Sequence, residues 1–169
     1  MDLVIRNAQI FDGSGEQASH GDVAVKAGVI VAIGENLAVT GTQEVDANGL
    51  SLMPGIIDSH THFDAQISWD STLAPSSSLG VTSVVIGNCG FTIAPCRPDD
   101  RDLIMRNLTQ VEGMSFEVLR QGINWNFESF PEYMDGIEKG GMSTNVAAFM
   151  GHSSIRTYVM GADAVERAA

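Results

Sequence analysis

Two histidines separated by one residue are the first candidates for chemistry in this sequence. His60 and His62 lie in GIIDSHTHFDAQ, residues 55–66, after a short apolar run. Side chains at i and i+2 of a strand point to the same face, roughly 7 Å apart along the chain, so two imidazoles could converge on one cation. Two hydrogen-bonded histidines at a strand end are the alternative. Asp58 and Asp64 flank the pair and could either orient an imidazole or form salt bridges.

Two further segments place polar groups after an apolar run. Cys89 lies in GNCG, where a thiolate would be a soft ligand suited to zinc and a small buried hydrophobic residue is the alternative. His152 lies in GHSSIR and could bind a metal or a substrate, with Arg156 nearby as a partner for a carboxylate. Cys96 lies in the loop APCRPDD and is expected to be a semi-exposed free thiol.

The elements that must position these groups fall into two parts. Residues 2–53 predict short strands joined by turns, because β-branched runs alternate there with Gly-containing dipeptides. From Pro54 onward, three apolar runs that predict buried parallel strands alternate with helical segments. The helices are predicted near residues 99–111, 116–121 and 130–139. This alternation indicates a parallel α/β architecture, whose functional groups gather at the C-terminal ends of the strands. His60, His62, Cys89 and His152 all follow a predicted strand.

The composition argues against several classes of protein. The chain has 169 residues, of which 44% are hydrophobic, so a packed core is expected. Nine basic and 21 acidic residues give a net charge of −12, which argues against nucleic acid and anionic membranes as partners. The sequence has no signal-peptide pattern, no long apolar span, no P-loop and no G-x-S-x-G motif. We therefore expect a cytoplasmic protein that neither binds nucleotides through those motifs nor acts as a serine hydrolase.

Longer segments around these residues resemble a known family. DANGLSLMPGIIDSHTHFD resembles the amidohydrolase superfamily, in which a small β-sandwich leads through Pro-Gly into the first barrel strand. GVTSVVIGNCGFTIAP and FPEYMDGIEKGGMSTNVAAFMGHSSIR resemble more specifically the N-acyl-D-amino-acid deacylases, or D-aminoacylases. The resemblance implies the N-terminal part of a metal-dependent TIM (β/α)8 barrel, preceded by a β-sandwich segment. It also implies hydrolysis of the linear amide of N-acyl-D-amino acids, small-molecule substrates, with one or two Zn²⁺ ions.

The resemblance assigns roles to individual residues. It implies that His60, His62 and Cys89 are metal ligands and that His152 lines the substrate side of the site, where Arg156 is a second candidate. Cys96 has no counterpart. Members of the family bring two more histidines and a catalytic aspartate from later strands, so we expect that aspartate in a missing C-terminal part.

The same comparison predicts an incomplete protein. We expect a β-sandwich segment at residues 1–53 and the first strands and helices of the barrel at residues 54–169, both incomplete. A chain with these bounds is expected to be inactive alone and to self-associate through uncovered strands. A cyclic-amide hydrolase of the dihydropyrimidinase or hydantoinase type, and a non-catalytic fragment, are the alternatives.

Overall fold

The computed structural model describes residues 1–166, and its chain divides into two compact units. The first unit is Met1–Pro54 and the second begins at Gly55. The division therefore falls one residue from the predicted boundary between residues 53 and 54.

The first unit is a single five-stranded sheet. Its strands are β1 (Leu3–Ile10), β2 (Ser19–Lys26), β3 (Val29–Gly34), β4 (Gln43–Asp46) and β5 (Ser51–Leu52). The order is β3-β2-β1-β4, and β5 also pairs with β1. β2 runs antiparallel to both β1 and β3, whereas β4 and β5 run parallel to β1. The predicted strands are thus present and form one sheet, and its membership of an incomplete sandwich stays a prediction.

The second unit alternates strands with helices, as the apolar runs predict. The strands β6 (Ile56–Asp58), β7 (Val81–Ile86) and β8 (Asn145–Ala148) form a parallel sheet in the order β6-β7-β8. The helices are α1 (Arg101–Glu112), α2 (Phe116–Gly122), α3 (Phe130–Gly140), α4 (His152–Met160) and α5 (Asp163–Glu166). This is a mixed α/β arrangement, and residues 55–166 do not close into a barrel.

Helix α3 shows why these segments become helices. Its N-cap Ser129 accepts a hydrogen bond from the backbone of Glu132, and the Glu132 carboxylate accepts one from the Ser129 backbone. This reciprocal capping satisfies two backbone donors that would otherwise lack a partner. Tyr133 and Ile137, one turn apart, turn inward and join the core that also contains Val84 and Ile86 of β7.

The exposure of strand β6 differs from the prediction. The sequence GIID predicts a buried strand, but the side chains of Ile56 and Ile57 are 48% and 67% exposed. In the described part of the chain β6 pairs only with β7, so it is an edge strand. An apolar run can predict a strand, but the elements packed on that strand decide its burial. Within residues 1–166, no helix has the length and apolar character needed to cross a membrane.

Candidate metal centre

The two histidines lie in a loop that is fastened to the central strand. Strand β6 ends at Asp58, so His60 and His62 follow the strand as predicted, and the i, i+2 geometry of a strand does not apply to them. Between them, the buried Thr61 donates to the carbonyl of Val85 from its backbone nitrogen at 3.1 Å and from its hydroxyl at 2.8 Å. Because Thr61 is held inward on β7, the histidines on either side of it are positioned by β7 as well as by β6.

Cys89 is presented by a tight loop after β7. Its φ is +55°, a left-handed conformation that non-glycine residues rarely adopt and that is often found at functional sites. The preceding Gly87 also has positive φ, and a Cβ there would overlap the carbonyl oxygen of Phe149. The Asn88 amide donates to the carbonyls of Thr61 at 3.2 Å and Val85 at 2.8 Å. One side chain therefore ties the cysteine loop to the histidine loop.

These two loops bring three possible ligands together. The ligand atoms of His60, His62 and Cys89 all lie within 4.8 Å of one another. The cysteine Sγ is 3.4 Å from Nε2 of His60 and 3.7 Å from Nε2 of His62. Tetrahedral zinc, with bonds of about 2.0 Å to nitrogen and about 2.3 Å to sulfur, separates such atoms by about 3.5 Å. The two separations between the cysteine sulfur and the imidazoles fit zinc, and the ligand role of the three residues stays a prediction.

Two carboxyl groups lie behind the histidines. Oε1 of Glu112, at the end of α1, is 2.8 Å from Nδ1 of His62, but the two are not aligned as a hydrogen bond. Asp64 is fully buried, and its Oδ2 accepts a hydrogen bond from the Gly87 backbone at 3.2 Å. Within residues 1–166, its Oδ1 has no hydrogen-bond partner. Burial raises the pKa of Asp64 and the pKa of Glu112, each to about 7, because desolvation disfavours the charged carboxylate.

The two flanking aspartates therefore differ. Asp58 accepts a hydrogen bond from the backbone nitrogen of His60 at 3.3 Å, and so shapes the loop without contacting an imidazole. Asp64 links the histidine segment to the cysteine loop through Gly87. Its backbone carbonyl also accepts a hydrogen bond from the hydroxyl of Tyr133 at 2.8 Å, which connects the site to helix α3.

His152 lies beside the cysteine loop. It is exposed and is the first residue of α4. The preceding Gly151 packs so closely that a Cβ there would lie 2.7 Å from the Gly90 carbonyl oxygen. Arg156, one turn further along, donates from Nε to the carbonyl of Ala164 at 3.0 Å. The structure thus places His152 near Cys89, while Arg156 takes part in contacts between α4 and α5. Their substrate roles stay predictions.

The burial of Cys96 differs from the prediction of a semi-exposed thiol. It lies in a loop, as predicted, but its side chain is 1% exposed and belongs to the main core of the second unit. Burial raises the pKa of its thiol to about 12, so the thiolate is not available as a ligand at neutral pH. The two cysteines therefore have different environments, one at the candidate metal centre and one in the core.

Glu112 is the residue of the site that sequence reasoning missed. It lies one residue beyond the predicted helix of residues 99–111, and in the structure it is the last residue of that helix, where the negative end of the helix dipole disfavours an acid. Its contact with His62 spans 50 positions of sequence, and nothing local in the sequence indicates that contact.

Comparison with known proteins identifies similar chains. The model of the amidohydrolase family matches residues 43–169. An N-acyl-D-aspartate deacylase from Alcaligenes xylosoxydans xylosoxydans is 35% identical over 94% of this chain and 30% of its own length. A D-aminoacylase from the same organism is 33% identical over 94% of this chain and 31% of its own length. The chain thus spans about a third of the curated relatives it matches.

A solved structure agrees with these relatives and contains a metal. An N-acyl-D-glutamate deacylase from Bordetella bronchiseptica, complexed with zinc and a phosphonate that mimics the tetrahedral intermediate, superposes with a TM-score of 0.69. It is 30% identical, and the match covers 95% of this chain and 31% of that one. The match concerns the same α/β segment that carries His60, His62 and Cys89.

Proposed function

The chain belongs to the amidohydrolase family, and we propose that it serves the hydrolysis of the linear amide bond of N-acyl-D-amino acids. The products would be a D-amino acid and a carboxylate, and the metal would be zinc, as one or two ions. The observation that carries the proposal is the convergence of two imidazoles and one thiol within 4.8 Å at the ends of neighbouring strands. The deacylase relatives support this substrate class.

The residues present fit a zinc ion. The donors are the imidazoles of His60 and His62 and the thiol of Cys89, of the kind that zinc prefers, and the distances from Sγ to each Nε2 suit tetrahedral bonding. Zinc in such a site lowers the pKa of a bound water and polarises the amide carbonyl. The catalytic aspartate expected from the family resemblance has no assignment among the described residues.

The chain's own residues would contribute orientation and access. Thr61 and Asn88 fix the two loops, so the three donors are held in place before any ligand arrives. His60 and Cys89 are exposed, so a substrate can approach them from solvent. His152 borders this open side and is the candidate to contact the substrate, with Arg156 as a second candidate.

Metal analysis is the first test. Purified protein should contain zinc by mass spectrometry of the metal, and His60→Ala and Cys89→Ala should each lower the zinc content strongly. His20→Ala is the matched control for an exposed histidine of the first unit, and Cys96→Ala is the control for the other thiol. Zinc content that is equal in all four variants would contradict the ligand assignment.

Substrate choice is the second test. The longest reading frame that contains this chain should hydrolyse N-acyl-D-amino acids, with little activity on the L enantiomers or on cyclic ureides. Hydrolysis of cyclic ureides with no turnover of linear N-acyl-D-amino acids would overturn the proposed substrate class and favour the dihydropyrimidinase-type alternative.

A further inference from the structure

Glu112 lies at a position where an acidic side chain does not stabilise helix α1. It is the last residue of the helix, and Gly113 ends the helix with a φ of +66°. The C-terminal end of a helix carries partial negative charge, which disfavours a carboxylate there. The Glu112 side chain is only 8% exposed, so desolvation also disfavours the charged form. The stability of α1 therefore does not explain this residue.

The contact of Glu112 is with the side of His62 that faces away from Cys89. Oε1 is 2.8 Å from Nδ1, while Nε2 of the same ring lies 3.7 Å from the cysteine Sγ. In the described residues neither Nδ1 nor Oε1 has a hydrogen-bond partner. A carboxylate close to Nδ1 favours the tautomer with the proton on that nitrogen, which leaves the lone pair on Nε2, the nitrogen that would ligate.

The two histidines differ in whether a carboxylate lies against the ring. Among residues 1–166, the His60 ring contacts Sγ of Cys89 and the His62 ring, whose centre is 5.3 Å away. No carboxylate in that part of the chain is recorded against the His60 ring. A change at Glu112 should therefore act on one of the two imidazoles and leave the other in place.

We propose that Glu112 is a positioning residue of the metal centre: through its 2.8 Å contact with Nδ1, its carboxylate favours the tautomer of the His62 imidazole that presents Nε2 to the site shared with Cys89. The inference rests on the metal centre of the proposed function. It assigns to helix α1 a role in metal affinity that the family comparison does not assign. The role is indirect, because Glu112 contacts a ligand and not the metal or the substrate.

The test is the zinc affinity of Glu112 variants, measured by competition with a chromophoric chelator. Glu112→Gln removes the charge at nearly constant size, and Glu112→Leu removes the acceptor as well. Loss of such a supporting contact lowers metal affinity by about 10- to 100-fold, and the leucine variant should lose more than the glutamine variant. Glu138→Gln is the matched control, because Glu138 is an exposed acid near the C-terminal end of α3.

Two readouts separate positioning from a purely structural role. Nitrogen-15 NMR of the histidine rings in zinc-free protein should show His62 protonated on Nδ1 in the native chain and a redistributed tautomer in Glu112→Leu. The thermal midpoint of the zinc-free variants should be equal to or higher than that of the native chain, because a buried carboxylate has been removed. Weaker zinc binding together with an undiminished midpoint would support the proposal.

Other outcomes would overturn it. Native zinc affinity in both Glu112 variants would reject the positioning role while leaving the metal centre intact. A lowered midpoint with unchanged affinity and tautomer would show that Glu112 is structural only. If the native chain itself fails to bind zinc, the metal centre of the proposed function fails, and the His62 tautomer still reports whether Glu112 orients the ring. If Glu112→Leu does not fold, Glu112→Gln carries the same measurements.

Discussion

Each unit of this chain holds a group of charged side chains, and the two groups differ in how fully they are partnered. In the first unit, Arg6 donates to Asp22 at 2.9 Å and to Glu44 at 3.2 Å, and its guanidinium also reaches the backbone carbonyls of Leu37 and Val39. Asp22 accepts further hydrogen bonds from the backbone nitrogens of Asn7 and Leu37. The Arg6 hydrogen bonds lower the pKa of both carboxyl groups.

In the second unit, the carboxyl groups of Asp64 and Glu112 have raised pKa values, and each has one oxygen without a hydrogen-bond partner in the described part of the chain. The first cluster is satisfied by contacts within its own unit, and the second is the one for which we propose a ligand. Charged groups such as Arg6 and Asp22 find their hydrogen-bond partners within the first unit. Polar atoms that lack such partners at the end of a parallel sheet are characteristic of functional sites.

The largest loss of stability is expected from a substitution in the loop that carries Cys89, at the residue that packs against the chain just after β8. Gly87→Ala would force a Cβ into the carbonyl of Phe149 at a residue whose φ is +80°, so we expect a loss of unfolding free energy of about 3 kcal/mol or more. Chemical denaturation measures this loss, and zinc binding should fail in parallel.

Gly140→Ala is the control for that substitution. Gly140 is the last residue of α3, and a Cβ there would meet nothing within 4 Å. We expect unchanged or slightly raised stability. Equal effects of the two substitutions would show that the close approach at Gly87 does not hold the loop.

Zinc should stabilise the second unit selectively. At a free concentration 100-fold above its dissociation constant, a ligand of the native state adds about 2.7 kcal/mol. Hydrogen exchange with mass spectrometry should show slower exchange near Thr61 and at Asn88–Gly90, and unchanged exchange in β1 and β2. Equal protection in both units would contradict a site confined to residues 55–166.

Removal of a single charge should distinguish the two clusters. In zinc-free protein at pH 7, Asp22→Asn should destabilise the first unit by about 1 kcal/mol, because an amide cannot accept all three hydrogen bonds of the carboxylate. Asp64→Asn should be nearly neutral, because burial raises the pKa of Asp64 to about 7 and the amide resembles the protonated carboxyl. Hydrogen exchange of the β1 amides measures the effect of Asp22→Asn. Exchange of the amides near Thr61 and at Asn88–Gly90 measures the effect of Asp64→Asn.

Acidification extends this prediction. The pKa values of Asp22 and Glu44 are lower in the folded state than in the unfolded chain, where they are about 4. Their stabilisation is present above the unfolded pKa and is lost as the pH falls through the lowered folded pKa. The first unit should therefore lose stability below about pH 4, and Asp22→Asn should flatten that dependence. If the stability of the variant falls with pH in the same way as that of the native chain, Asp22 is not the cause of the acid dependence.

The smallest effect on stability is expected on strand β3. Val29 and Val31 are 62% and 49% exposed on an edge strand, so Val29→Thr with Val31→Thr should change unfolding free energy by less than about 0.5 kcal/mol. We expect the native chain to self-associate through such surface and the double variant to do so less. Light scattering after size-exclusion chromatography measures this, and an unchanged mass distribution would reject the prediction for β3.

Local patterns were sufficient for much of the fold. The strands of the first unit, and the alternation of strands and helices after Pro54, follow from side-chain period and glycine placement. The convergence of His60, His62 and Cys89 was also predictable, because residues that follow parallel strands meet at one edge of a sheet. The ligand role itself remains a prediction.

The sequence by itself determined which residues could carry chemistry and which segments become strands or helices, because both depend on residue type and near neighbours. Only the tertiary structure decided the exposure of Ile57, the burial of Cys96 and the contact between Glu112 and His62. These depend on elements distant in sequence, whose packing sets desolvation and pairing. The same physics explains why one histidine of the pair has a carboxylate behind it.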